Sequence, residues 1–262
     1  MPFAGRIHYA DRGERREGTA PVLLIHGAGA SSALWMMALA RLARVTYAVA
    51  VDLPGHGPSP AGVGAGGASA LGIAPYRDAA GLVAGTLCLG PSVVVGHSMG
   101  ALVAVEAALA WPDKVSALVL CGAGPRLPVS DELMRLIRED YARLPAWLAE
   151  HGLSPAARPA VRRGFVAAGV VTPRDTTLAD YEALRGAGAD VGARLADLRC
   201  PVVWIDGADD RIVPPAAGRP GEVRTLPGVG HLIPIEAPGA VAQIVTELLR
   251  QDPVEGRMMA RG

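Results

Sequence analysis

The stretch from Ser92 to Ala110 constrains this 262-residue chain most. Three valines, Val93-Val94-Val95, form a β-branched run of the kind that suits a pleated, buried surface. They lead into Gly96-His97-Ser98-Met99-Gly100, and Ala101 to Ala110 then continues with one charge, Glu106. A buried strand that passes through a five-residue turn into a buried helix must belong to a sheet with helices packed on it. Glycine on both sides of the serine fits a turn too crowded for a Cβ. Such a turn lifts the serine hydroxyl above the sheet edge. The N–H groups opening the next helix then point at the same spot and favour negative charge there. With Gly at 33 positions and Ser at nine, a G-x-S-x-G pattern arises by chance with probability of about 0.14, so its surroundings must carry the argument.

The surroundings repeat the theme. Arg6 to Ala10 reads as a short strand, and Pro21 to Ile25 as a strand buried on both faces, ending in His26-Gly27-Ala28-Gly29. Ser31 or Ser32 is placed to cap a helix carrying Leu34, Met37 and Leu42. Val45 to Val51 is the next strand and breaks at Asp52-Leu53-Pro54-Gly55-His56-Gly57. The Gly/Ala-rich residues 61–74 read as a surface connection. Helix is expected over Tyr76 to Leu89 and Met99 to Ala110, and strand over Ser92 to Val95 and Val115 to Leu120. After Gly124 the strand signal disappears. Leu133, Leu136, Ile137, Tyr141 and Leu144 recur at helical spacing, and further helical pieces run near Pro155 to Ala168 and Thr177 to Leu184. Strand signal resumes at Val202 to Ile205 and weakly at Val223 to Leu226, before a last helix with Val241, Ile244, Val245, Leu248 and Leu249 on one face. The fold class that follows is α/β: a mostly parallel central sheet with helices on both faces. Residues 1–124 and 198–262 form its core, and an inserted helical cap occupies 125–197. In such sheets the reactive loops gather at the carboxyl ends of the strands, where His26, Asp52, Ser98, Cys121 and Asp210 fall.

Composition removes several function classes. Net charge is zero, so no basic surface invites nucleic acid or an anionic membrane. Cys88, Cys121 and Cys200 have unrelated spacings in apolar stretches, which argues for buried reduced thiols and against a disulfide framework or a zinc site. No leader-like segment and no long apolar span is visible, so a cytoplasmic location is expected.

The ordered turns resemble the α/β-hydrolase fold superfamily, in its capped serine-esterase-like branch. The residues carrying the likeness are His26-Gly27, Asp52 to Gly57, the Gly96 to Gly100 elbow, Gly207-Ala208-Asp209-Asp210-Arg211-Ile212-Val213-Pro214 and Gly230-His231. A serine hydroxyl needs a base to remove its proton, and histidine, with an ordinary pKa of about 6.5, suits the task. His231, in a Gly-flanked loop between the last strand and last helix, is the best of the six histidines. The order Ser98, Asp210, His231 is the one expected of this fold. Between the adjacent Asp209 and Asp210, the family spacing from Gly207 and to Pro214 selects Asp210. An oxyanion hole would use the backbone N–H groups of Met99 and Ala28, with Gly27 as runner-up to Ala28.

Other polar residues are expected to be structural: His26, His56 and Asp52 as turn residues, His97 packed behind the elbow, His8 and His151 outside any constellation, and Glu106 and Glu236 as ordinary polar positions. Trp35, Leu127, Leu133, Trp147 and Phe165 are candidates for the substrate pocket, and each is equally a candidate for helix or cap core. The resemblance implies a carboxylic ester hydrolase, acting on an ester, lactone or thioester through an acyl-enzyme on Ser98. It implies a small to medium, apolar-leaning acyl substrate and neither a metal nor an organic cofactor. Two alternatives remain beside it: a C–C bond hydrolase using the same triad, and a receptor-like protein that binds ligand and keeps the fold.

Overall fold

Strand runs whose residues are all apolar must bury both faces, and the sheet does so. In the computed structural model, which describes residues 2–62, 71–186, 191–215 and 217–251, eight strands form one sheet. They are β1 (Phe3–Ala4), β2 (Ile7–Arg12), β3 (Val22–Ile25), β4 (Ala48–Val51), β5 (Ser92–His97), β6 (Val115–Cys121), β7 (Val202–Gly207) and β8 (Glu222–Leu226), in the order β1-β2-β4-β3-β5-β6-β7-β8. β1, β2 and β4 pair antiparallel, and every pairing from β4 onward is parallel.

Alternate side chains of each strand face opposite layers. Leu23, Ile25, Val49, Val51 and Val94 pack with α2 (Ile73–Thr86) and α3 (Met99–Ala110). Val22, Leu24, Ala48, Ala50, Val93 and Val95 pack on the other face with α1 (Met36–Leu42) and the final helix, Pro238–Gln251. Helix α3 is buried on nearly all sides, as its lack of charge requires; Glu106, its one carboxylate, pairs with Arg194.

Between β6 and β7 the described chain contains no strand. It folds into α4 (Asp131–Glu139), α5 (Leu144–His151), α6 (Pro159–Ala168) and α7 (Arg174–Arg185). After β8 come the short α8 (Ile233–Glu236) and α9 (Pro238–Gln251).

Local differences from the sequence reading have simple causes. Helix α2 starts at Ile73, not Tyr76, because Ile73 is buried against the sheet layer. Of the connection expected over 61–74, residues 63–70 lie outside the described residues. Strand β5 continues to His97, since His97 still pairs with Cys121 of β6. Among the cysteines only Cys121 is buried; Cys88 is exposed at the end of α2 and Cys200 is half-buried, so the expectation of three buried thiols is corrected. Among the described residues no helix is long and apolar enough to cross a membrane.

Candidate active site

Ser98 joins the end of β5 to the start of α3 with φ 52° and ψ −119°, a left-handed conformation that strains a residue carrying a Cβ by roughly 1–3 kcal/mol. Crowding on both sides holds it there. A Cβ on Gly96 would lie 2.3 Å from the Gly100 carbonyl oxygen, and one on Gly100 would lie 2.3 Å from that of Ile25. The elbow is wedged against the end of β3, and the Ser98 N–H donates to the Cys121 carbonyl at 2.9 Å.

His231 lies in the loop between β8 and α8. Its Nδ1 donates to Asp210 Oδ2 at 2.9 Å, with both side chains buried. The second oxygen of Asp210 accepts the N–H groups of Ile212 and Val213 at 2.9 and 2.8 Å. The turn after β7 thus orients the carboxylate, and the carboxylate orients the imidazole. With Nδ1–H so held, Nε2 is the nitrogen left to accept a proton. Asp209 is used differently: it accepts the Ser154 hydroxyl at 2.6 Å.

Ser98, His231 and the backbone of Gly27 to Ala30 line one cavity of about 260 Å³. The loop after β3 passes directly over the serine, since a Cβ on Gly27 would sit 3.2 Å from Ser98 Cβ and 3.0 Å from His97 Nδ1. Ala28 follows Gly27 on that loop, and Met99 opens α3, where the first N–H groups have no partner within the helix.

Two buried histidines support this floor. His97 donates from Nε2 to the His231 carbonyl at 2.9 Å, while Nδ1 has no hydrogen-bond partner among the described residues. Burial, then the neighbouring His231, brings its pKa down to about 3, so the ring is neutral near pH 7. His26 donates from Nδ1 to the Gly27 carbonyl and accepts the Leu53 N–H at Nε2. Burial, followed by the nearby His56, holds its pKa well below the usual histidine range.

Several assignments need correction. Leu127 and Phe165 line the cavity, but Trp35, Leu133 and Trp147 do not. Trp35 is fully buried in the sheet layer with α1, while the neighbouring Leu34, partly buried against the same layer, does reach the cavity. Leu133 belongs to a separate apolar cluster between α4 and α5, and Trp147 stacks on His151 beside that cluster. His8 is not outside every constellation: its Nδ1 lies 2.5 Å from Asp52, which also accepts the Ser32 N–H and hydroxyl. Glu236 is more than an ordinary polar position. It accepts the N–H groups of Ser154 and Gly230, each at 2.9 Å, while the Gly152 carbonyl accepts the His231 N–H at 2.7 Å. Burial raises the Glu236 pKa against the lowering effect of those two bonds. No local pattern marks Glu236 in the sequence, because its partners lie six and 82 positions away.

A family model described as the alpha/beta hydrolase family matches residues 22–244. The chain belongs to this family. Within it, the chain is 30% identical over 218 residues to a pimeloyl-[acyl-carrier protein] methyl ester esterase of Pectobacterium atrosepticum, covering 77% of this chain and 81% of that protein. It is 29% identical over 256 residues to the dihydrolipoyllysine-residue acetyltransferase component of an acetoin cleaving system in Pseudomonas putida; that match covers 90% of this chain but 65% of the longer relative. Among solved structures, a thermophilic esterase from Thermogutta terrifontis superposes with TM-score 0.78 at 25% identity, covering 94% of this alpha/beta hydrolase and 93% of that chain. Family membership and the two esterases among these relatives support hydrolase activity.

Proposed function

We propose that this alpha/beta hydrolase cleaves carboxylic esters, lactones or thioesters through an acyl-enzyme on Ser98. The observation that carries the reading is the Asp210–His231 contact at 2.9 Å, opening onto the same cavity as the strained Ser98. In this mechanism His231 Nε2 takes the Ser98 proton as the hydroxyl attacks the carbonyl carbon. The backbone N–H groups of Ala28 and Met99 receive the oxyanion. The protonated imidazole, stabilised by Asp210, then gives its proton to the departing alcohol or thiol. Water activated by His231 releases the acid and restores the serine. Residues 125–197 act as the cap: Leu148, Phe165, Tyr181 and Leu184 from α5, α6 and α7 supply much of the cavity's apolar lining.

The cavity supports a neutral acyl group of small to medium size. Among the described lining residues none is Lys, Arg, Asp or Glu. A substrate carboxylate there would lose its hydration without a counter-charge, which is costly. That weighs against C–C cleavage of a charged diketone acid. The test is a panel of p-nitrophenyl acyl esters with wild type and Ser98→Ala, together with fluorophosphonate labelling. Turnover and labelling at Ser98 in wild type, both lost in Ser98→Ala, are expected. Wild type that neither turns over nor labels would refute the proposal and favour the receptor-like alternative. Consumption of a ring-fission dienoate with esters ignored would favour C–C hydrolysis.

A further inference from the structure

A second buried polar cluster joins the helical segment to the loop over Ser98. Its centre is Asp180 on α7, fully buried, as are its partners His56 and Tyr76. Asp180 Oδ1 accepts the Tyr76 hydroxyl at 2.5 Å. Oδ2 accepts His56 Nε2–H at 2.8 Å and the backbone N–H of Gly29 at 2.9 Å. The other His56 nitrogen faces the Pro54 carbonyl at 3.1 Å, so both ring nitrogens meet acceptors. A buried carboxylate is an acceptor only, and this one is matched by three donors from three separate segments of the core. Thr172, just before α7, adds a hydroxyl bond to the Ala30 carbonyl at 3.1 Å. The loop from Gly27 to Ala30 is therefore gripped from the cap side at two peptides, Ala28–Gly29 and Ala30–Ser31.

We infer that Asp180, seconded by Thr172, is a positioning residue that fixes the 27–30 loop so that the Ala28 N–H is aimed at the oxyanion. This rests on the ester-hydrolase reading above. Ala28 has no polar side chain with which to anchor its own orientation, and Gly29, at φ +66°, adds a conformationally permissive link on its far side. The Asp180 carboxylate removes that freedom by holding the Gly29 N–H. Seating of α7 and completion of the oxyanion hole then become one event, although Asp180 never touches substrate.

The experiment compares wild type, Asp180→Ala, Asp180→Asn and Thr172→Val on a p-nitrophenyl ester. Inhibition is measured with a trifluoromethyl ketone and with the matching methyl ketone. The first forms a tetrahedral adduct with Ser98 and needs the oxyanion donors; the second fills the cavity as an unreacted carbonyl. Asp180→Ala is expected to lower kcat by roughly tenfold or more with KM within about threefold, and to weaken only the trifluoromethyl ketone by a similar factor. Asp180→Asn should restore most of both, because its carbonyl can accept the Gly29 N–H. Should Asp180→Ala fail to fold, Thr172→Val carries the test, with a fall in kcat of about two- to fivefold and, since Thr172 also lines the cavity, a trifluoromethyl ketone weakened more than the methyl ketone. Equal weakening of both ketones would mean the cap has merely loosened and would overturn the inference; so would an unchanged trifluoromethyl ketone, or an unchanged kcat in Thr172→Val. Failure of the underlying reading looks different: wild type itself would neither turn over ester nor bind the trifluoromethyl ketone covalently.

Discussion

Acid should destabilise this protein through a histidine that performs no proton transfer. His97 is buried behind the elbow, and burial together with His231 brings its pKa to about 3. In the unfolded chain an ordinary histidine titrates near 6.5. Above that pH both states hold the ring neutral and the group contributes nothing to the pH dependence. Below it the unfolded state binds a proton that the native state refuses, so stability falls as pH drops from about 6.5 toward 3. Between pH 7 and pH 5 the proton occupancy of the unfolded ring rises from about a quarter to nearly one. At about 1.4 kcal/mol per pH unit this removes about 2 kcal/mol. That is a large share of the 5–15 kcal/mol typical of a domain. Equilibrium urea unfolding of wild type and His97→Gln at both pH values measures it. Glutamine keeps a donor for the His231 carbonyl and cannot titrate, so the variant should lose about 2 kcal/mol less than wild type over this range. His26, shifted in the same direction mainly by burial and His56, remains in both proteins and largely cancels in the comparison, His97 being the last of its causes. Identical losses in the two proteins would refute the assignment of a buried, neutral His97.

Three further outcomes are expected. Asp210→Asn should lower kcat on a p-nitrophenyl ester by about 10³–10⁴-fold with little change in KM, because the imidazole loses the partner that fixes its tautomer; a loss under tenfold would contradict that role. Gly207→Ala would put a Cβ 2.2 Å from the Gly230 carbonyl oxygen and 2.4 Å from that of Val229, forcing the acid and histidine loops apart, and calorimetry should show Tm lower by about 10 °C or more. Phe165→Ala enlarges the α6 side of the cavity, so the ratio of kcat/KM for a p-nitrophenyl octanoate over a butyrate should rise by about tenfold, while Trp147→Ala, which does not line the cavity, should leave the ratio unchanged.

The legible parts of this protein were those in which neighbours in sequence are neighbours in space. Val22 to Ile25 and Val93 to Val95 announce strands buried on both faces, since every residue in them is apolar. The glycines flanking Ser98 announce a crowded turn, and the clashes that any Cβ would make there supply the reason. The order of Ser98, Asp210 and His231 was readable through the family pattern, and Asp210 and His231 are in contact. Pocket lining was not readable. Trp35 and Leu34 are adjacent and touch the same core, yet only Leu34 also reaches the cavity, a difference made by the rotation of one short helical turn.

Asp180 shows the same limit more sharply. In sequence it is one carboxylate in a charged, moderately amphipathic helix, without a motif. Its partners stand 104, 124 and 151 positions away, and only the seating of α7 against the sheet's carboxyl edge collects them. Backbone chemistry is local, so sequence alone determined the alternation of strands and helices, the elbow and the residue types able to act there. Burial and hydrogen-bond matching depend on which segments end up facing one another. Tertiary structure alone therefore decided the cavity's lining, the neutral state of His97 and the grip of Asp180 on the loop above Ser98.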